Sequence, residues 1–481
     1  MKPMSKTERR IGVFVCLFTI VLAILDQNIV SAAIVPIVRD LDPVHGVDHV
    51  AWLVAAFSLA ATVVLPLYGR LCDVWGPKQV FLGTVLTFLI GSVLCGAAQS
   101  MGQLIAFRAV QGVGAGGLMS VTMVVIAHLR DPDDNGSGGR SGLAGLVGGF
   151  GMAIGPLVGG LFAEHGQWRW IFYVNVPLGL LILAGALLVL RIPRHGGTTH
   201  VDLTGAAMIG GAAAALLLVC DWGGDRYPWS SPMILGLGTT TLVLLATFLW
   251  WQRRSPDPVL PPGLFRVPAV RDSFVIQAVV GMALVGGLVF LMVYLQAGRG
   301  ISAGRAGTFP AFLAAGLALS GLAFNRFRWP VRTSMLVGTL FAAAALGALA
   351  LTRDDTSFWL IRAELVVLGM GFGQLLGKLI IAVQQAAPRH QLGAATTGIR
   401  FFQSLGGAIG AAAFGSLLNA MGSITAGVDA IFAVAALLML LAAALATRLR
   451  LPGEPLPTAA ESPARQPAAP QPAAPAPGGG S

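Results

Sequence analysis

Long apolar runs separated by short polar breaks organise the whole chain. Each run holds roughly 20 residues, enough to carry a helix across a hydrocarbon core near 30 Å thick, and about fourteen of them recur. Their expected limits are 11–35, 50–69, 79–98, 102–127, 141–163, 169–190, 203–220, 231–251, 272–297, 303–324, 333–351, 358–382, 394–419 and 427–447. The first run, behind Lys2, Lys6, Arg9 and Arg10, has about 25 residues, longer than the core of a cleaved signal, and is kept as a span. The pattern predicts an all-α integral membrane protein, because a helix satisfies its own backbone polar groups in lipid.

Composition agrees: 55% of residues are hydrophobic and 11% charged, against about 25% charged in soluble domains. A net charge of +10 invites a nucleic-acid partner, but the basic residues are not gathered on one domain. They alternate between connections, and the poorer side holds only Arg39, Arg169, Arg226, Arg299, Arg305, Arg353 and Arg362. That bias excludes a nucleic-acid surface and predicts a bilayer-embedded chain with both termini cytoplasmic. Residues 452–481, rich in Pro, Ala and Gly, cannot bury enough apolar area to order themselves and read as a disordered tail. Cys16, Cys72, Cys95 and Cys220 show no metal or disulfide spacing and read as small packing residues. The 63 glycines suit close helix contact in a bundle that shifts.

Ionisable residues inside the spans carry the chemistry, since each is expensive in lipid unless it pairs, snorkels or lines a wet cavity. Asp26, in "AILDQNIVSAAIVP", lies ~14 Å from the outer end of its span and Arg108 ~9 Å from the same side. An arginine can bridge that difference if the first and fourth spans are neighbours. Gln27 and Asn28 point about 100° and 200° away from the acid, so at most one shares its surroundings. Glu364 and Arg362 are two apart and share no helix face, leaving Glu364 either facing a cavity or near outer water. Lys378 has the position of a snorkelling lysine. Trp52, Phe57, Tyr294, Phe401 and Phe402 are aromatic candidates for a cavity wall, each equally consistent with lipid or core.

Several motifs join these residues. "GRLCDVWGPKQ", residues 69–79, offers Gly69 and Gly76 for a sharp turn, Asp73 to face a neighbouring helix N-terminus and Lys78 as a partner charge. This G-x-L-x-D-x-x-G stretch resembles the signature loop of the major facilitator superfamily, which latches the cytoplasmic side of the bundle. Val74 and Pro77 stand where basic residues are usual, so the latch is expected to be weaker or to use Arg70 and Lys78. A weak echo with Gly321, Asn325 and Arg326 repeats at an offset of 252, in keeping with parallel halves.

"FRAVQGVGAGG", residues 107–117, resembles the fourth-span motif of proton-coupled members in Arg108, Gln111, Gly112 and Gly114. "GGFGMAIGPLVGG", residues 148–160, reads by itself as a helix-packing seam bent by Pro156. With Gly151, Gly155, Pro156, Gly159 and Gly160 it resembles the antiporter motif. "QWRWIFYVNVPLG", residues 167–179, and the Leu25, Asp26, Ile29, Val30 and Ala33 pattern resemble the fourteen-span drug:proton antiporter branch; Asn28 replaces its usual threonine.

The resemblance implies a cytoplasmic segment 1–10, a six-helix bundle at 11–191, two inserted helices at 192–268, a second six-helix bundle at 269–447 and the tail 448–481. It implies a monomeric proton-coupled antiporter in a bacterial-type plasma membrane, exporting amphipathic, cationic or neutral lipophilic compounds. Asp26 and Arg108 are the expected proton-coupling pair, with Asn28, Gln111 and Glu364 as cavity candidates. A proton gradient is the expected energy source and no cofactor is implied. The competing expectations are an exporter dedicated to one metabolite, an importer, or a polytopic membrane enzyme or scaffold. The short connections carry no nucleophile with a base and no metal-ligand cluster to favour the last.

Overall fold

The computed structural model describes residues 5–32, 37, 40–41, 46–129, 162, 167–192, 201–224, 226–324, 329–353 and 355–449. Its long helices are α1 (Lys6–Ala32), α2 (Gly46–Val63), α3 (Leu65–Trp75), α4 (Pro77–Ala97), α5 (Met101–Leu129), α6 (Asn175–Val189) and α7 (Leu203–Trp222). They continue as α8 (Pro232–Gln252), α9 (Pro268–Val293), α10 (Phe309–Phe324), α11 (Val331–Leu349), α12 (Phe358–Ala386), α13 (Leu392–Ala420) and α14 (Ile424–Arg448). Polar residues in the breaks start several of them: Asp202, Ser231, Ser357 and Ser423 each accept a first-turn N–H, a contact that fixes where a helix begins.

Among the described residues, 12 helical segments are long and apolar enough to cross a membrane. One of these, Trp52–Trp75, joins α2 and α3 across a break at Val64. Pro66 in the first turn of α3 explains the break, since its ring clashes with the preceding turn. The run expected at 303–324 is shorter as a helix, because α10 begins only at Phe309, with Pro310 in its first turn. The run expected at 141–163 lies almost wholly outside the described residues, as do the tail and the echo residues Asn325 and Arg326.

Helices α1 to α6 pack on one another, and α9 to α14 pack on one another. Glycine permits the close approaches: a Cβ on Gly112 would strike the Phe57 carbonyl, and one on Gly406 the Ala278 carbonyl. The two groups meet along a seam where α13 lies against α3 and α5. Helix α7, paired with α8, touches α2 and α3 on one side of the seam and α13 on the other. An apolar cluster of Leu65, Ile209, Ala213, Phe248, Leu260 and Phe401 fills this junction.

Candidate functional site

Asp26 is 0% exposed on α1 and is surrounded by donors from two other helices. Its Oδ2 accepts from Arg108 Nη1 at 3.2 Å; its Oδ1 accepts from Gln111 Nε2 at 2.8 Å and from Asn175 Nδ2 at 2.7 Å. Arg108 Nη1 also donates to Gln111 Oε1 at 2.7 Å, and its guanidinium carbon lies 4.0 Å from the centre of the Phe57 ring. Ser92 on α4 closes the cluster, accepting from both Gln111 (3.2 Å) and Asn175 (3.0 Å) and donating to the Phe172 carbonyl (2.9 Å). A buried charge pair that loses one partner costs about 3–5 kcal/mol, so Asp26 and Arg108 depend on each other for their place in the bundle.

The spacing of the cluster follows from helix geometry. Arg108 and Gln111 are three apart on α5 and therefore share a face, and Ser92 and Cys95 repeat that spacing on the neighbouring α4. Among the described residues, every hydrogen bond to either oxygen of Asp26 comes from an N–H donor. Oδ2 accepts only one bond, so a proton added to its second lone pair would lack an acceptor unless a neighbouring group turns. Two atoms beside it are buried without a partner, Arg108 Nε and Asn175 Oδ1. Rotating the Asn175 amide would present Oδ1 as the missing acceptor.

Sequence reasoning singled out Asp26, Arg108 and Gln111, which the structure brings together. Arg108 is 3% exposed and paired, which excludes snorkelling. Ser92 and Asn175 were not expected, and Cys95 is more than packing, since its Sγ donates to Gln111 Oε1 at 3.5 Å. Asn175 stands in the "YVNVP" stretch, whose signal was a polar amide at the start of an apolar run. Gln27 is exposed, and the side chain of Asn28 lies outside the described residues. The glycine-proline motif at Gly151, Gly155, Pro156, Gly159 and Gly160 lies outside them as well.

The second constellation closes one end of the seam. Asp73 Oδ1 accepts from Gly393 N–H at 2.8 Å and Oδ2 from Ala394 N–H at 3.1 Å. These belong to the first turn of α13, whose N–H groups have no partner within the helix and whose dipole favours a negative charge. Gly69 turns out not to be a turn residue: it lies inside α3, where a Cβ would strike Thr397 of α13. The sharp turn belongs to Gly76 alone, at φ 91, a backbone conformation open mainly to glycine. Pro77 then opens α4 with its fixed φ. Arg70 pairs with Asp257 beyond α8 at 2.7 Å, while Lys78 donates to the Leu187 carbonyl at 3.2 Å within its own group of helices.

The remaining candidates are scattered. Glu364 is buried on α12, with Oε2 lacking a hydrogen-bond partner, while Arg362 turns to the rings of Trp359, Phe309 and Phe312. Lys378 is buried as well, so it does not snorkel. Tyr294 and Phe401 are core residues, Phe402 stacks on Phe274, and Trp52 meets Trp222 edge-on. The four cysteines are free thiols. At the end of the helices opposite Asp73, Asp40 accepts from Arg169 Nη1 (2.7 Å) and Trp168 Nε1 (3.0 Å), which holds its carboxyl below the usual range.

Comparison with known proteins places this geometry. The family model of the Major Facilitator Superfamily matches residues 16–204 and again 201–411. An uncharacterised MFS-type transporter of Mycobacterium tuberculosis is 34% identical over 86% of this chain, which spans only 60% of that relative's length. The multidrug transporter protein MdtP of Bacillus subtilis is 28% identical, covering 87% of this chain and 76% of its own. The puromycin resistance protein pur8 of Streptomyces alboniger is 33% identical, covering 83% and 80%. The crystal structure of the human organic anion transporter MFSD10 shares the fold at a TM-score of 0.68 and 17% identity, covering 91% of this chain and 99% of its own. With the family model matching most of its length in two consecutive blocks, this chain belongs to the Major Facilitator Superfamily.

Proposed function

We propose that the chain is a proton-coupled antiporter that exports amphipathic compounds across a bacterial-type plasma membrane by alternating access. The observation that carries this reading is the buried Asp26–Arg108–Gln111–Asn175 cluster, in which adding a proton to Asp26 removes the charge that Arg108 pairs with. Helix α5 links the cluster to the seam: Arg108 and Met123 are 15 residues apart, or ~22 Å along one rigid helix. Met123 receives a hydrogen bond from Gln384 of the other group of helices. Loading a proton on Asp26 frees Arg108, shifts α5 and loosens the seam; releasing it restores the pair.

In this reading the Lys/Arg-rich end is cytoplasmic, both termini lie there, and the seam closed by Asp73 makes the present arrangement outward-facing. Fourteen spans, with α7 and α8 inserted between the halves, and a monomeric carrier complete it. The names of the relatives support export of drugs or antibiotics. That one of them is named for a single antibiotic keeps a narrow cargo range as the second reading.

The test is flux in oriented membrane vesicles with an imposed pH gradient and a fluorescent amphiphile. Export predicts accumulation in inside-out vesicles with an acid lumen, abolished by a protonophore. Uptake into right-side-out vesicles would establish import instead, and indifference to the gradient would end the proton-coupled reading.

A further inference from the structure

Beyond the acid cluster, the seam contains a second polar site with the opposite charge. Gln384 of α12 forms a three-helix junction, donating to the Met123 carbonyl of α5 at 3.4 Å and to Thr396 Oγ1 of α13 at 3.5 Å. One turn further into the bundle, α5 presents Ser120 and α13 presents Arg400, ~4.5 Å and ~6 Å along their helices from the junction. Ser120 is 1% exposed and its Oγ has no hydrogen-bond partner. Arg400 is half-buried, and among the described residues its guanidinium donates from Nη1 to Gln403 Oε1 at 2.8 Å.

The orientation of Arg400 follows from its neighbours on α13. Thr396, four residues before it, meets α12, and Thr397, three before it, meets Gly69 of α3. Arg400 therefore points between α12 and α3, toward the space separating the two groups of helices. On α12, Gly377 lies seven residues from Gln384 and so on the same face, where a Cβ would meet nothing within 4 Å. Among the described residues, the inward side of the junction thus presents open space beside Gly377, a cation and an unused hydroxyl.

Among the described residues, the acids of the seam and of α1 and α12 are engaged elsewhere or distant. Asp26 is enclosed by its three donors, Asp73 caps α13, and Asp257 holds Arg70. Glu364 lies ~20 Å further along α12 from Gly377 and on another face. A guanidinium inside a membrane-spanning bundle is costly without a counter-charge or water, and its fork of N–H donors matches carboxylate and similar oxyanion groups.

We propose that Arg400 and Ser120 form the polar end of the cargo site, and that this site takes an amphipathic substrate through a carboxylate or equivalent anionic oxygen group. The two residues come from opposite sides of the seam, so such a group bridges the halves when bound. The inference rests on the reading of the chain as an alternating-access carrier and names the class of cargo.

Equilibrium binding to the full chain in lipid nanodiscs, read by fluorescence anisotropy, tests it without any pH gradient and so separately from proton coupling. The probes are fluorescein, which carries a carboxylate, and rhodamine 6G, a cationic ester on a similar ring system. The wild type should bind fluorescein saturably and more tightly than rhodamine 6G. Arg400→Gln should weaken fluorescein about tenfold or more and leave rhodamine 6G unchanged. Arg400→Lys, which keeps the charge but loses the fork, should weaken fluorescein less than Arg400→Gln does, and Ser120→Ala should lose a few-fold. Absence of saturable fluorescein binding to wild type, tighter binding of rhodamine 6G, or an equal loss of both dyes in Arg400→Gln would overturn the proposal.

Discussion

At the scale of single residues, Asp26 is held by donors that differ in how visible they are in sequence. Arg108 and Gln111 declare themselves because charges and amides are conspicuous in apolar runs. Ser92 does not, since a lone serine is ordinary in a span and its partners sit on helices far away in the chain. Asn175 was legible only as an amide within an aromatic stretch; that it turns toward Asp26, 149 residues earlier, is a fact of packing. The geometry predicts that Asn175→Ala, which removes one of two donors to Asp26 Oδ1, destabilises the protein by about 1–3 kcal/mol. Unfolding in detergent measures this, and an unchanged stability would mean that the amide contributes nothing to holding the acid. The positive group at Arg400 was hidden for another reason. Counting basic residues by connection assigns it to the Lys/Arg-rich end, whereas it stands two turns inside α13.

At the scale of helices, the latch depends on a carboxylate meeting a helix start. The sequence suggested that Asp73 faces a helix N-terminus, but the identity of that helix, α13, more than 300 residues away, needed the fold. Gly69 was misassigned because a glycine near a turn reads as a turn residue, while its role is to admit α13 against α3. Both hydrogen bonds from α13 to Asp73 are charge-assisted, and each is worth about 1.5–3 kcal/mol. Asp73→Ala should therefore shift the population toward an open seam by about tenfold or more. Spin labels at the adjoining ends of α3 and α13 would report a longer distance; an unchanged distribution would show that the latch does not hold the seam. The bend at Pro66, by contrast, is local chemistry and could be read from the chain alone.

At the scale of the molecule, the apolar runs were enough to give an all-helical membrane bundle, because the bilayer leaves the backbone few alternatives. What they could not give is where the inserted pair sits. Helix α7 bridges α2, α3 and α13, and the segment after α8 reaches back through Asp257 to Arg70 in the latch helix. This pair is largely shielded, with side chains 11% and 14% exposed, so removal of either partner weakens the tie between the insertion and the latch helix. Arg70→Ala and Asp257→Ala should be strongly non-additive in stability, with a coupling of about 1 kcal/mol or more in a double-mutant cycle. Additive losses would show that the insertion is not tied to the latch. Whether the acid cluster drives the bundle is read most directly by comparing two transport modes in reconstituted Asp26→Asn protein. This variant should still exchange substrate across the membrane at equilibrium but no longer concentrate it in response to a pH gradient. Undiminished gradient-driven accumulation by Asp26→Asn would contradict a coupling role for Asp26.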